Sequence, residues 1–155
     1  RLREKYDDDM TARTLEMDIS EREVLTMASI VEKEAITDHE RPVIAAVYYN
    51  RLRRNMPLQA DPTAVYGVKG SSEKITRDDL LRRTPYNTYM IKGLPPGPIA
   101  SPGLKSIQAA LNPADVPFLY FVSNNDGTHK FSVTLSNHEE AVKEYRNKKK
   151  RKGEG

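Results

Sequence analysis

The sequence predicts a mainly helical α+β fold, a single domain with one small antiparallel β element. Three observations favour this class. Several segments combine a helix start signal with apolar residues at helical spacing, and two β-prone runs flank Asp126-Gly127. Strands and helices do not alternate along the chain as a doubly wound parallel sheet would require. With 155 residues and 37% hydrophobic content, the chain is large enough to bury one core.

The first strong helix is predicted to begin at Ser20, a candidate N-cap whose capping-box partner, Glu23, lies three residues on. Apolar residues then recur along one face of this helix: Val24, Ala28, Val31 and Ala35. The next helix covers ERPVIAAVYYNRLRRN, because Pro42 fits its first turn. Its expected buried side carries four residues: Val43, Ile44, Val47 and Leu52. Each helix therefore has one face to bury.

The middle of the chain is expected to hold loops and short helices. MPLQADPTAVYGVKG reads as a loop that can carry a brief helix, and TRDDLLRR as a short helix capped by Thr76. TPYNTYMIKGLPPGPIASPG holds five prolines and three glycines in 20 residues, which is typical of an ordered loop with fixed turns. SPGLKSIQAALNP follows as a helix, with Pro102 near its start and Pro113 beyond its end.

The C-terminal part carries the strongest β signal. PFLYFVSNNDGTHKFSVT is predicted to form a hairpin, with Asp126-Gly127 as a type I′ turn. A last helix is predicted over SNHEEAVKEYRNKKK, with Ser136 as its N-cap and Glu139 three residues later.

The net charge of +3 comes from the end of the chain. The last ten residues hold six basic and one acidic side chain, and the others hold 19 basic and 21 acidic, a net charge of −2. We expect residues 147–155 to be a basic, disordered tail. A contact between this tail and nucleic acid is the weaker alternative, because the rest of the chain is net negative, so no nucleic-acid partner is predicted.

Composition and motifs exclude several kinds of site. The chain has no cysteine, which rules out disulfides and thiolate chemistry, and it lacks the P-loop, GxGxxG and GxSxG motifs. Its three histidines, His39, His129 and His138, lack the HExxH spacing of a zinc site. No apolar run reaches the roughly 18–20 residues that span a bilayer.

Two carboxylates, Glu32 and Glu34, lie in the mostly apolar helical segment ASIVEKEA. On a helical wheel with Val24 at 0°, Glu32 falls near 80° and Glu34 near 280°, because each residue turns the helix by about 100°. They flank opposite sides of the apolar stripe and cannot form a carboxylate pair with each other. Either one could be a partly desolvated general acid with a raised pKa, or both could be boundary residues that reach water. The wheel does not separate them.

Two further candidates also have two interpretations each. Asp61 precedes Pro62, where it could form an Asx turn or act as a site carboxylate. The run Tyr86-Asn87-Thr88-Tyr89 could be plain loop packing, or it could offer aromatic faces and amide groups to a sugar.

Four segments keep an order and spacing that are typical of one family: ASIVEKEA, ERPVIAAVYYNRLRRNMPLQADPTAVYG, TPYNTYMIKGLPPGPIASPG and PFLYFVSNNDGTHKF. Together they resemble the catalytic domain of the YceG-like (MltG) endolytic murein transglycosylases, from about Leu25 to Tyr145. The resemblance implies a bacterial cell-wall lyase that cuts the MurNAc-β-1,4-GlcNAc bond inside nascent glycan strands. The muramyl C6 hydroxyl attacks its own C1, which ends the strand in 1,6-anhydro-MurNAc. It also implies a catalytic domain over residues 21–146, after a lead-in segment over 1–20.

The resemblance assigns the catalytic role to Glu34, as acid and then as base. The candidates for substrate binding are eight residues: Gln59, Asp61, Tyr86, Asn87, Thr88, Tyr89, Ser123 and His129. Glu32 is left as a structural residue or as a support behind the site. Neither a metal nor another cofactor is implied.

The implied partners are peptidoglycan strands, with penicillin-binding proteins and other cell-wall synthesis proteins as further partners. The chain opens on RLREKYDDDM without an initiator Met, so we expect a fragment of a longer protein. Family members carry an N-terminal membrane anchor, which implies work on the extracytoplasmic face of the cytoplasmic membrane with the anchor missing here. Two other functions stay open, a hydrolytic muramidase on the same site and a non-catalytic peptidoglycan-binding or scaffold domain.

Overall fold

The fold is that of a computed structural model, which describes residues 6–69 and 74–154, the side chains of 150–154 excepted. Its helices are α1 (Asp8–Met17), α2 (Glu21–Glu34), α3 (Arg41–Arg53), α4 (Asp61–Ala64), α5 (Arg77–Leu80), α6 (Leu104–Leu111) and α7 (Leu135–Glu154), with a 3-10 turn at Asp38–Glu40. Strands β1 (Tyr120–Ser123) and β2 (His129–Ser132) pair antiparallel. The predicted mainly helical α+β fold is confirmed.

Helix α2 is the centre of the core. Its predicted capping box is confirmed, since Ser20 Oγ accepts from the Glu23 amide and the Glu23 carboxylate accepts from the Ser20 amide, each at 3.0 Å. Val24–Val31 are all buried, so this helix is covered on every side rather than along one stripe. It packs most closely against α6 and also contacts α1, α3 and α4. Because α2 is enclosed on all sides, the position of its C-terminal end in the fold is fixed.

Helices α3 and α6 complete the core around α2. Pro42 lies in the first turn of α3 as predicted, and Ile44–Tyr49 are buried without a break. The Tyr49 hydroxyl donates to the Ala110 carbonyl at 2.7 Å, which links α3 to α6. The Asn50 amide donates to the carbonyls of Val116 and Phe118 at 2.9 and 2.8 Å. These two bonds hold the chain that leads into the hairpin against α3.

The predicted lead-in segment forms helix α1 and packs on the domain. Met10 is buried in the core, and Arg13 Nε donates to the Leu111 carbonyl at 2.8 Å. Residues 1–5 of that segment lie outside the described residues. Its boundary at residue 20 stays a prediction.

Helix α5 begins as predicted, with Thr76 as its cap and Asp79 as the capping-box partner. Asp79 is buried, and its carboxylate accepts from Lys69 Nζ at 2.6 Å and from Arg82 Nη1 at 3.1 Å. The hydrogen bond from Lys69, followed by those from Thr76 and Arg82, lowers the pKa of Asp79 against the effect of burial. This ionised carboxylate ties Lys69 to α5.

The hairpin is confirmed, but the predicted turn type is wrong. Strand residues pair from Tyr120 with Ser132 to Ser123 with His129. Positive φ angles occur at Asn125 (67°) and Gly127 (88°), whereas a type I′ turn would need them at Asp126 and Gly127. The connection between the two strands is longer than two residues. Within it, the Asp126 carboxylate accepts a hydrogen bond from the Thr128 amide at 3.0 Å.

Helix α7 differs from its prediction at both ends. Its first turn is capped by Thr134, whose Oγ1 accepts the Asn137 amide at 3.2 Å, so Ser136 as the cap is wrong. Residues 147–154 are helical, where the sequence predicts a disordered tail. Lys148 and Lys149 are good helix formers, which favours this continuation. Across the described residues, no helix is both long enough and apolar enough to cross a membrane.

Ile107 and Leu104 offer a matched pair on α6, because Ile107 is 0% exposed and Leu104 is 46% exposed. We expect Ile107→Ala to lower the free energy of unfolding by about 2–5 kcal/mol through a cavity at the contact with α2. Leu104→Ala should lower it by less than about 0.5 kcal/mol. Urea denaturation at neutral pH measures both, and equal losses would contradict a core centred on the contact between α2 and α6.

Candidate active site

Two cavities of about 340 and 400 Å³ share Glu34 and Asp61 in their walls. The first cavity is also lined by Tyr66, Lys69 and Ile99. The second is lined by residues from α3, from the hairpin, from α7 and from the loop after α5, among them Tyr48, Arg51, Tyr89, Phe121, Ser123, His129 and His138. The two acidic side chains therefore stand where the cavities meet.

Glu34 is the last residue of α2, and the backbone turns extended at Ala35. Its side chain is half-buried, and within the described part of the chain no hydrogen bond or ion pair reaches its carboxylate. Burial, followed by the charge of Asp61, raises the pKa of Glu34 from 4.5 to about 8. At neutral pH the group is therefore mostly protonated and able to donate a proton into the cavities.

Asp61 is the first residue of α4 and lines both cavities together with Glu34 at the end of α2. Its Oδ1 accepts from the Tyr89 hydroxyl at 2.5 Å. Burial raises the pKa of Tyr89, and the hydrogen bond to Asp61 adds to the effect, so Tyr89 stays a neutral phenol. Of the two interpretations of Asp61, the structure shows a carboxylate that lines both cavities.

Asn87 and Thr88 do not reach the cavities, although the sequence predicts contact with substrate. Both are 0% exposed. The Asn87 amide donates to the Leu80 and Arg82 carbonyls at 3.0 and 2.7 Å, while Thr88 Oγ1 accepts the Ala60 amide at 2.9 Å. Asn87 therefore holds its own loop to the end of α5, and the bond between Ala60 and Thr88 fixes the start of α4.

Gln59 lies at the second cavity with a positive φ of 52°. A left-handed backbone in a residue other than glycine costs of order 1–3 kcal/mol and persists where the surroundings enforce it. Here the Gln59 amide donates to the Thr88 carbonyl at 3.3 Å, which holds the strained residue in place. Strain of this kind clusters at functional sites and marks Gln59 as a candidate for ligand contact.

Tyr86 stands behind the wall of the first cavity. Its ring packs on Tyr66 with a centroid distance of 4.5 Å, and Tyr66 itself lines that cavity. The sequence analysis missed Tyr66. Its place in ADPTAVYG, five residues after Asp61, is the signal that could have found it.

Ser123 and His129 both line the second cavity, from the two strands of the hairpin. The His129 amide and Nδ1 both approach the carboxylate of Glu40, at 2.9 and 2.8 Å. Glu40 is buried in the 3-10 turn before α3, and the sequence analysis did not single it out. With the carboxylate as acceptor, Nδ1 carries the proton and the ring is held by Glu40 in one orientation.

Glu32 lies in different surroundings from Glu34. Its carboxylate accepts from the Gly103 amide and from Ser106 Oγ, both at 2.9 Å, and lies 3.6 Å from Arg41 Nη1. It therefore ties α2 to the start of α6. The helical wheel left the two glutamates equivalent, and the structure shows one bound on several sides and the other facing the cavities.

The described residues, 6–69 and 74–154, contain no group of three His, Asp or Glu side chains that could hold a metal ion.

The family model described as "YceG-like family" matches residues 1–144 of the chain. The endolytic murein transglycosylase of Bacillus subtilis is 42% identical over 134 residues, which are 86% of this chain and 37% of that protein. That of Streptococcus pneumoniae D39 is 38% identical over 133 residues, covering 82% of this chain and 24% of that protein. A crystal structure of the yceG-like protein lmo1499 from Listeria monocytogenes superposes with a TM-score of 0.79 at 42% identity, over 86% of this chain and 43% of that one. The chain thus spans less than half the length of these relatives.

Glu34→Gln and Glu32→Gln should change stability in opposite directions. The pKa of Glu34 is about 8 in the folded chain and 4.5 for an ordinary glutamate, so the free energy of unfolding falls as the pH rises between these values. We expect Glu34→Gln to be more stable than wild type by about 1–3 kcal/mol at pH 9, with the difference vanishing toward pH 4.

Glu32→Gln, the matched control two residues earlier, should lose roughly 1 kcal/mol, because it weakens charge-assisted hydrogen bonds. Denaturant titrations of both variants between pH 4 and pH 9 measure these differences. Destabilisation by Glu34→Gln at pH 9 would contradict an unpaired, buried carboxyl at this position.

Proposed function

The chain belongs to the YceG-like family, and from this membership and the cleft we propose that it is an endolytic lytic transglycosylase. The proposed reaction cuts the MurNAc-β-1,4-GlcNAc bond within peptidoglycan strands and leaves a 1,6-anhydro-MurNAc end. One observation carries the proposal: a carboxyl group without a hydrogen-bond partner among the described residues, protonated near neutral pH, stands where two cavities meet. A general acid for glycoside cleavage needs this protonation state.

Glu34 acts first as the acid and then as the base. Its proton passes to the glycosidic oxygen as the bond from that oxygen to the muramyl C1 breaks. The muramyl O6 bonds to C1, and the proton of the C6 hydroxyl passes to the Glu34 carboxylate. Water is not consumed, and the carboxyl group returns to its starting state. One carboxyl group suffices because the nucleophile belongs to the substrate and is already positioned beside C1.

The two cavities would take sugar units on both sides of the bond that is cut. Cleavage within a strand needs such room on either side, which supports an endolytic mode. In this proposal Gln59, Tyr89, Ser123 and His129 contact the sugars in the second cavity, where all four line the wall. Tyr86, Asn87 and Thr88 act from behind by holding the loops in place.

Asp61 has a separate role in the proposal. Its negative charge keeps the proton on Glu34 before the reaction. During bond breaking, positive charge develops at C1 and the ring oxygen, and a fixed carboxylate nearby stabilises that charge. The hydrogen bond from Tyr89 holds the Asp61 carboxylate at the junction of the cavities.

Asp61 also gives the hydrolytic alternative a specific basis. Two carboxyl groups beside one bond could activate a water molecule as in ordinary glycosidases. Product masses distinguish the two reactions, because anhydro ends are one water lighter than reducing ends.

The proposal places the activity where peptidoglycan lies, outside the cytoplasmic membrane. The membrane anchor of a longer parent protein, the association with penicillin-binding proteins, and the domain boundaries at residues 21 and 146 stay predictions. A non-catalytic domain that only binds peptidoglycan would retain strands without cutting them.

Glu34→Gln should lower the cleavage rate of purified glycan strands by at least about 10³-fold, because both proton transfers are lost. Glu32→Gln, with the same chemical change two residues earlier, should retain strand cleavage. Mass spectrometry of the products measures the loss and shows whether anhydro ends are formed. Normal cleavage by Glu34→Gln would falsify the assignment of the acid, and reducing ends from wild type would favour hydrolysis.

The cleavage rate should fall as the pH rises past about 8, where Glu34 loses its proton; this fall is the alkaline limb of the pH profile. Asp61→Asn should move this limb to lower pH, because it removes a negative charge that favours the protonated form. Asp115→Asn, an exposed aspartate outside the walls of both cavities, is the control and should leave the limb in place. An unchanged limb in Asp61→Asn would show that another group sets it.

A further inference from the structure

The second cavity has a basic side formed by Arg51 of α3. This side chain is buried, with 8% of the residue exposed. Its Nε donates to the Leu119 carbonyl at 2.7 Å and its Nη1 to the Pro57 carbonyl at 2.9 Å. These bonds leave Nη2 without an acceptor among the residues that the structure describes. No carboxylate of the described residues lies within ion-pair distance of this guanidinium.

A buried cation without a counter-charge is costly, and carbonyl dipoles offset only part of that cost. Arg51 nevertheless lines an open cavity of about 400 Å³. An anion that entered the cavity would supply the missing charge in a place of low dielectric, where charge-assisted hydrogen bonds are strong. The position of Arg51 therefore favours binding of an anionic group.

Tyr120 and His138 lie next to Arg51. The Arg51 guanidinium lies 5.0 Å from the centroid of the Tyr120 ring, and the His138 ring stacks on the same ring at 5.0 Å. His138 also lines the cavity, and its Nδ1 is buried without a hydrogen-bond partner in the described part of the chain. We name Arg51, Tyr120 and His138 the basic subsite.

We propose that the basic subsite binds a carboxylate of a peptide stem that the glycan strand carries. The inference rests on the proposed function, since muramyl units carry peptides with free carboxylates beside the bond that is cut. A carboxylate would be repelled by Asp61 and attracted by Arg51, which both line this cavity. The opposed charges thus orient the strand. Two of the five N–H donors of the guanidinium already bind backbone carbonyls, so at most three are left, which suits one carboxylate better than a polyphosphate.

The test measures binding without turnover, in the chain that carries Glu34→Gln. The probes are a disaccharide-peptide with free carboxylates and the same molecule with its carboxylates converted to amides. We expect amidation to weaken binding about tenfold in calorimetric titrations. In the Arg51→Gln background both probes should bind with the weaker affinity. Arg54→Gln, at an exposed arginine at the end of the same helix, should keep the tenfold difference.

Arg51→Gln also removes two bonds to backbone carbonyls, so a second variant guards against misfolding. His138→Ala changes a side chain of α7 and should reduce the preference for the free carboxylates while the thermal unfolding temperature stays near that of wild type. Equal binding of both probes to the Glu34→Gln chain would overturn the inference. The same holds if the Arg51→Gln and His138→Ala variants both prefer the free carboxylates as strongly as the Glu34→Gln chain does. Displacement by millimolar inorganic phosphate, with no effect of amidation, would identify a phosphate site and also overturn it.

The outcome is separable from that of the proposed function. Strand cleavage by wild type, with equal binding of both probes to the Glu34→Gln chain, would leave the transglycosylase proposal standing and overturn the basic subsite. No cleavage by wild type, with tighter binding of the free carboxylates to the Glu34→Gln chain, would do the reverse.

Discussion

The burial of α2 is the constraint on which the rest of the structure depends. Eight consecutive residues, Val24–Val31, are enclosed by other elements, so the helix has a single position in the fold. Glu34 follows within one turn and ends the helix at the cavities. The negative end of the helix dipole, the buried surroundings and the charge of Asp61 all disfavour the ionised form of its carboxyl. The reactivity expected of Glu34 therefore comes from the packing of the core and not from a dedicated hydrogen-bond partner.

The same helix carries a second glutamate with the opposite character. Glu32 is turned by about 200° from Glu34, and on its side the start of α6 supplies the Gly103 amide and the Ser106 hydroxyl. Those bonds hold the Glu32 carboxylate in place and stabilise the fold. Glu34 has no such bond among the described residues, and its ionisation at high pH lowers the free energy of unfolding. One helix thus separates a carboxyl that stabilises the structure from one that is free to react.

Local signals in the sequence predicted much of the fold, and contacts between distant segments explain most of the rest. The capping boxes at Ser20 and Thr76 depend on residues three apart, so the sequence contains both partners. The pairing of Glu40 with His129 joins residues 89 apart, and no local pattern indicates it. The burial of Asn87 and Thr88 has the same origin, since polar residues in a loop are indistinguishable in sequence from polar residues that face a ligand. The cap at Thr134 was missed because Ser is preferred to Thr at the N-cap position, so local propensity favours Ser136.

The two proposals share the second cavity, and they require that the Arg51 guanidinium does not lie close to the Glu34 carboxyl. A guanidinium close to Glu34 would lower the pKa of that carboxyl and remove the proton that the reaction needs. Burial and the charge of Asp61 account for the raised pKa of Glu34, and Arg51 does not contribute to it. The carbonyls of Leu119 and Pro57 and the ring of Tyr120 hold the guanidinium at the hairpin side of the cavity. In the two proposals, the bonds that fix Arg51 thereby let one cavity contain both an acid and an anion site.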